Sequence, residues 1–372
     1  MAELGVAIVG AGRWAGRAHL PGWLRDPRAR VVGVYDLDPE RARALSARAP
    51  GCRVYSSEAE LLADSAVQVV DVVTWGPAHF QSAIAGLESG RHVLCEKPVH
   101  REWTRTRDAG EKARSLGLRT KVGFTFRFSP AMMRMRELID EGYVGRPLVF
   151  NGFEQNSQFL DPLTPIRAGE GDPAGGAEIQ VSSLEGYGAP IIDLALWFLG
   201  AELVEVVGQL ANLIPERLVP GSAVPVRLPI DDADAFLCRF ANGAIGTIQS
   251  SYVTVGNYPG LEARLYGTEG ALICRLVEEE GVCERLYGAR RDQVEFRPLE
   301  IPERLYPPGG GPTEPWDSAF YANLIAAFTS EIQYPGLPAQ ADFLAAARVQ
   351  EVINAVELSH RRHAWVQLPL EG

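Results

Sequence analysis

Residues 6–16 read "VAIVGAGRWAG". A short apolar run ends at Gly10, Gly12 and Ala15, and a helical pattern follows, which is the G-x-G-x-x-[GA] arrangement of a strand–turn–helix. Gly10 allows the tight turn, and Gly12 lets the backbone approach a pyrophosphate. A small residue at 15 or 16 lets helix and strand pack closely. The next apolar run, "RVVGVYD", ends in Asp36, placed where a carboxylate accepts hydrogen bonds from ribose hydroxyls. Its charge opposes a 2′-phosphate and no arginine follows it directly, so the stretch favours NAD over NADP as cofactor.

From that turn the pattern extends through the first 125 residues. "VQVVDVVT", "HVLCE" and "RTKVGFTF" read as further strands, separated by the helical stretches "DPERARALSARA", "PAHFQSAIAGLESG" and "REWTRTRDAGEKARSLG". Strands this apolar, alternating with helices, predict a parallel sheet covered on both faces. Pro77 suits a first helical turn, while Gly90 and Gly117 follow last turns. After Ser129 the texture changes. A helix near 129–141 leads into a Gly-, Pro- and polar-rich stretch at about 151–176, then the helix "IIDLALWFLG". Alternating strands follow around Asn242-Gly243, a dipeptide suited to the positive φ of a hairpin turn, and around Gly267 to Gly270. Helices near 315–331 and 340–360 and a terminal strand "AWVQLP" close the chain.

The fold class is therefore α/β: an N-terminal Rossmann, doubly wound parallel sheet over residues 1–125, followed by an α+β domain over residues 126–372. The second domain is built on an open, mainly antiparallel sheet, with room for the C-terminal helix to pack back on the first.

Composition narrows the partners. A net charge of -11 without a basic patch argues against nucleic acid and anionic membranes. The five cysteines show no C-x-x-C pair and no ligand-like spacing, so buried free thiols and no metal are expected. No apolar run approaches a membrane span and no leader pattern opens the chain, so a cytoplasmic setting is expected.

Lysine is scarce. Among 36 basic residues only Lys97, Lys112 and Lys121 are lysines. Lys97 lies in "CEKP", at the end of a strand, where a desolvated amine can donate or accept a proton and arginine cannot. The Lys97–Pro98 bond is a candidate cis peptide. "TWGPAHF" (residues 74–80) ends the preceding strand, where ligands bind in open parallel sheets. His79 there could reach a cofactor ribose.

These segments, taken in order, resemble the Gfo/Idh/MocA family of NAD(P)-dependent oxidoreductases over essentially the whole chain. "TWGPAHF" stands for the family's T-P-N-x-x-H, "EKP" matches, and "VGFTFRFSP" stands for G-F-N-x-R-F-x-P. The resemblance implies that Lys97 is catalytic. It also puts Gly10, Gly12, Arg13, Trp14, Asp36, Thr74, Trp75, His79, Glu96 and Lys97 in the cofactor site. Trp75 replaces the usual proline and can set an indole against the cofactor. The open sheet of such proteins lines the substrate site and often mediates oligomers, so a homo-oligomer (dimer or tetramer) is expected.

One departure matters most. The family commonly carries an Asp and a His four residues apart before the inter-domain helix. Counting back from Asp193 puts these slots at Gly186 and Pro190; counting forward from Gly175-Gly176 puts them near Val181 and Glu185. No register can supply the histidine, because residues 101–359 contain none. Tyr187 and Glu185 are the acid–base groups at hand, with Ser182 and Ser183 as possible hydroxyl donors; Tyr187 could equally pack against the sheet. Arg127 is read as fixing the domain junction, with substrate binding as the alternative. The resulting expectation is hydride transfer between NAD and a carbinol or keto carbon of a sugar, cyclitol or related polyol, Lys97 handling the proton. Two alternatives stand beside it: transient oxidation by tightly held NAD in glycoside cleavage or epimerisation, and a non-catalytic dinucleotide-binding sensor.

Overall fold

The computed structural model describes residues 3–166, 171–172, 178–256, 259–279 and 281–371. The Gly175-Gly176 pair, from which the forward register is counted, lies outside them. The chain forms two compact units. One comprises Met1–Ser129 and Tyr306–Arg348, the other Pro130–Leu305 and Val349–Gly372.

In the first unit, β1 (Leu4–Val9), β2 (Ala29–Tyr35), β3 (Arg53–Val54), β4 (Val69–Val72), β5 (His92–Cys95) and β6 (Thr120–Val122) form one sheet in the order β3-β2-β1-β4-β5-β6. Every neighbouring pair is parallel. The order reverses between β1 and β4, which opens a crevice at their carboxyl ends. All residues of β1 and β4 are buried, as expected for a sheet covered on both faces. The intervening helices are α1 (Leu20–Arg25), α2 (Pro39–Ser46), α3 (Glu58–Ala63), α4 (His79–Glu88) and α5 (Trp103–Ser115).

Three details differ from the sequence reading. The helix after the glycine turn begins as a wide π-turn over Ala15–His19, with Leu20 N–H reaching back to the Ala15 carbonyl. Pro21 supplies no N–H for a regular ladder there, and the wider spacing accommodates its ring. β3 and α3 were not anticipated, because a two-residue strand carries no readable period. The third difference is at "RTKVGFTF", where the strand stops at Val122 and a 3₁₀ turn follows over Thr125–Phe128.

The second unit opens with α6 (Pro130–Asp140), β7 (Pro147–Gln155), α7 (Ala189–Leu199) and β8 (Leu203–Ala211). A small ribbon pairs β9 (Glu216–Arg217) with β10 (Val226–Arg227). Then come β11 (Ala233–Phe240), β12 (Ile245–Ser251), β13 (Pro259–Gly267), β14 (Gly270–Glu279), β15 (Val282–Arg290) and β16 (Arg297–Pro298). The main sheet runs β16-β15-β14-β13-β7-β12-β11-β8-β17, where β17 is Val366–Gln367. Only β7 and β12 pair parallel; the other pairs are antiparallel. As the Asn242-Gly243 dipeptide indicated, β11 and β12 form a hairpin, with Gly243 at φ +85°.

α7 lies on one face of that sheet. A methyl group at Gly152 of β7 would come within 2.6 Å of Ile191. Phe236, Cys238 and Phe240 point to this covered face and are buried. They are core residues. The chain then supplies α8 (Trp316–Gln333) to the first unit and ends through α9 (Phe343–Arg362) and β17.

Candidate active site

At the glycine turn, Gly10 has φ +98°, and a Cβ there would lie 2.6 Å from backbone atoms of Val73. No side chain fits. Above Gly12 nothing lies within 4 Å of a Cβ position, so that flank of the turn stands open. Asp36 is fixed beside it. Its Oδ2 accepts the Ala11 N–H at 2.6 Å and its Oδ1 accepts the Asp38 N–H at 2.8 Å, which joins the end of β2 to the turn after β1. Arg13 is exposed, and Trp14 donates its indole N–H to the Tyr321 hydroxyl at 3.0 Å.

Across the crevice, Thr74 follows β4. Its hydroxyl oxygen is buried and has no hydrogen-bond partner within the protein. Trp75 is 55% exposed. His79 is buried, with Nδ1 2.8 Å from the Pro98 carbonyl and Nε2 3.0 Å from the Thr74 carbonyl. Both ring nitrogens are thus turned to backbone, so His79 ties the segment after β4 to the one after β5. The Lys97–Pro98 peptide is cis, and Lys97 is half-buried at the end of β5.

Glu96, next to the lysine, belongs to a buried cluster that the sequence reading did not assemble. Its Oε1 lies 3.1 Å from His19 Nε2 and accepts the Tyr321 hydroxyl proton. The other ring nitrogen of His19, Nδ1, lies 2.9 Å from Asp71 Oδ2, which also accepts the Trp23 indole N–H at 2.7 Å. Burial alone would lower the His19 pKa, but Asp71 and Glu96 outweigh it and hold it at about 9. Glu96 is held below its usual range. Burial pushes it up, and its bonds from His19 and Tyr321 together with the Lys97 charge pull it down further. Gly123 leaves room for the carboxylate, since a Cβ there would sit 2.3 Å from Glu96 Oε1. The signal available beforehand was Asp71 itself, a carboxylate inside the apolar run "VQVVDVVT".

In the second unit, Tyr187 and Glu185 lie on a π-turn over Leu184–Gly188 that runs into α7. Tyr187 is buried among Phe159, Ile166, Leu228, Ile230 and Tyr252, and its hydroxyl donates to Gln158. Glu185 is also buried, 3.4 Å from the Gln350 amide nitrogen. The Ser182 hydroxyl is 3.0 Å from that of Tyr252, and the Ser183 hydroxyl is 3.1 Å from that of Ser250. The Asp231 carboxylate accepts the backbone N–H groups of Ser182, Ser183 and Leu184, capping the turn. Burial and the nearby Asp234 raise the Asp231 pKa well above the carboxylate range in spite of these bonds, and burial pushes Asp234 to about 7. The sequence reading did not single out this pair. Arg127 is buried in the 3₁₀ turn after β6, and Asp193 is buried within α7.

Among the described residues no group of three or more His, Cys, Asp or Glu could hold a metal ion, and no helix is long and apolar enough to cross a membrane. The glycine turn, the open flank of Gly12, the carboxylate at the end of β2 and the orphaned Thr74 hydroxyl fit a dinucleotide along the carboxyl ends of a doubly wound sheet. They define a nicotinamide-nucleotide oxidoreductase fold.

Residues 4–124 match the oxidoreductase family with an NAD-binding Rossmann fold, and residues 132–273 match the Gfo/Idh/MocA C-terminal domain. The chain belongs to the Gfo/Idh/MocA family of NAD-dependent oxidoreductases. It is 28% identical to levoglucosan dehydrogenase of Pseudarthrobacter phenanthrenivorans, over 73% of this chain and 74% of that one. It is also 28% identical to the NAD-dependent scyllo-inositol 2-dehydrogenase of Bacillus subtilis, over 74% and 75%. The crystal structure of an NAD-binding oxidoreductase from Klebsiella pneumoniae superposes with a TM-score of 0.87 at 25% identity, covering 100% of both chains.

Proposed function

We propose that the protein oxidises or forms a secondary alcohol on a sugar, anhydrosugar or cyclitol ring, with Lys97 as the group that handles the proton. The observation that carries this reading is the half-buried lysine at the end of β5, the strand beside the crevice, next to a carboxylate held ionised. NAD, when bound, supplies the hydride acceptor or donor. Gly10, Gly12 and Ala11 shape the turn that receives the pyrophosphate, and Asp36 meets the adenosine ribose. The Thr74 hydroxyl gains the partner it lacks. Lys97 hydrogen-bonds the reacting oxygen and takes or returns its proton. The relatives named for levoglucosan and scyllo-inositol support the substrate class at moderate identity.

Tyr187 is the proposed second proton-handling group in place of the missing histidine, with Glu185 as its competitor. Its hydroxyl ends on Gln158, a neutral amide that leaves it able to exchange hydrogen bonds.

The test is NADH absorbance with levoglucosan, scyllo-inositol, myo-inositol and a panel of other polyols. With any accepted substrate, Lys97→Arg is expected to lower turnover by about 10²–10⁴ with NADH affinity retained, because arginine keeps the charge but not the exchangeable proton. Near-wild-type turnover in that variant overturns the role of Lys97. Tyr187→Phe is expected to cost a comparable factor. If it is silent while Glu185→Gln is not, glutamate is the partner. NADH binding with no turnover on any member of the panel would favour a sensor.

A further inference from the structure

We propose that His19, clamped between Asp71 and Glu96, is a positioning residue that sets the proton affinity of Lys97. The inference rests on the assignment of Lys97 as the proton-handling group, and it is tested without turnover.

The geometry settles the charge of the ring. Both nitrogens of His19 face carboxylate oxygens, at 2.9 Å and 3.1 Å. A carboxylate only accepts, so both nitrogens must carry protons and the ring is an imidazolium. The ring is fully buried, so its charge is little screened by solvent. The π-turn fixes where it points, since Ala15–His19 ends at this residue and Leu20 N–H closes the turn. The Tyr321 ring packs against it with centroids 4.5 Å apart, while the Tyr321 hydroxyl donates to Glu96.

Each packed element adds a titratable or charged group. β4 supplies Asp71, and the end of β5 supplies Cys95, Glu96 and Lys97. α8 contributes Tyr321, and Asp317 of α8 pairs with Arg17, two residues before the histidine. Burial holds the Cys95 thiol and the Tyr321 phenol well above their usual ranges, so both stay neutral. The charges that remain in the clamp are two carboxylates and one imidazolium, a net charge of minus one, and of these the Glu96 charge interacts with that of Lys97. Without the imidazolium the net charge becomes minus two, and an ammonium next to it binds its proton more tightly. His19 therefore leaves the lysine with a lower proton affinity than the two carboxylates alone would impose, and keeps Glu96 in one orientation.

The chain has three lysines, which makes the measurement direct. Reductive methylation with ¹³C-formaldehyde gives few amine signals, and Lys97→Arg assigns the one in question. In His19→Gln the Lys97 signal is expected to titrate about one pH unit higher than in wild type. Asp71→Asn removes a carboxylate together with the main partner that keeps the ring protonated, so the clamp stays at minus one and the Lys97 signal is expected to stay near wild type. Far-UV circular dichroism and NADH binding identify the variants that keep the fold. A Lys97 titration raised in His19→Gln and near wild type in Asp71→Asn supports the proposal, and an unchanged titration in folded His19→Gln overturns it. Should neither variant fold, ¹⁵N spectra of the wild-type imidazoles decide. An imidazolium pattern for His19 at pH 7.5 is expected, and a neutral tautomer overturns the proposal.

Discussion

At the scale of single residues, two carboxylates of the first unit do work that their positions in the sequence only half disclosed. Asp36 was legible, because it ends the strand after the glycine turn. Its bond from Ala11 N–H to Oδ2 was not, since that depends on how closely two strand ends approach. Replacing Asp36 by Ala is expected to narrow or reverse the preference for NAD over NADP and also to weaken NAD, because the turn loses a tether. Calorimetry with both nucleotides measures this, and tighter NADP binding by the wild type would refute the assignment. Asp71 was visible as a charge in an apolar strand, but its partner, 52 residues earlier, was not.

The His19 clamp has a thermodynamic signature as well. The folded pKa of about 9 lies above the ordinary 6.5, so the folded chain binds more protons than the unfolded one between these values. The resulting stabilisation is fully present below pH 6.5 and is lost as pH rises toward 9. The stability difference between wild type and His19→Gln, from urea unfolding, is expected to shrink across that window by on the order of 1–3 kcal/mol. A difference that is flat in pH would show that the ring is neutral.

At the scale of elements, most of the fold could be read because its signals are local. Apolar runs marked β1, β2, β4 and β5, and Gly90, Gly117 and Gly243 marked turns whose φ angles are positive. What could not be read included β3, too short to have a period, β7, whose end falls in a stretch rich in Gly, Pro and polar residues, and the π-turns before α1 and α7. The glycine turn itself separates two roles. Gly10→Ala places a methyl group against rigid backbone and is expected to destabilise the fold. Gly12→Ala meets nothing in the protein, so it should leave the melting temperature nearly unchanged while weakening NADH binding. If Gly12→Ala binds NADH as well as wild type, the pyrophosphate does not lie over that residue. Tyr187 marks the limit of reading a site from sequence. The missing histidine was evident, but a buried ring with its hydroxyl on Gln158 follows from a cluster drawn from four separate stretches of the second unit.

At the scale of the whole molecule, the nine-stranded sheet leaves one face to be covered. Along β11 burial alternates strictly, with Phe236, Cys238 and Phe240 inward and Leu237 outward at 49% exposure. Leu237 lies with Thr247, Gln249 and Asn151 in a shallow groove of ≈ 440 Å³ on that outer face. The sheet ends in two-residue strands, β16 and β17, which offer little edge for further pairing, so association is expected face to face. We expect a homo-oligomer joined through the outer face, weakened by Leu237→Asp. Sedimentation at micromolar concentration checks it, and a strict monomer in the wild type would count against it.

The nucleotide-binding unit is assembled from two stretches of chain nearly two hundred residues apart, and this bears on how it is born. When the ribosome has finished residue 129, all six strands of the parallel sheet exist, but Tyr321, Asp317 and Glu331 do not. Glu96 lacks its phenol, Arg17 lacks its carboxylate, and the buried amine of Lys121, which ends 2.6 Å from Glu331, has no counter-ion. Burying that ammonium unpaired would be costly. The N-terminal sheet must therefore remain open and hydrated there while the intervening domain is synthesised, and it closes only when the segment from 306 to 348 emerges. A unit whose strands precede an intervening domain and whose last helix follows it is completed only after that domain has been made, and during the interval its apolar strands are open to misassociation.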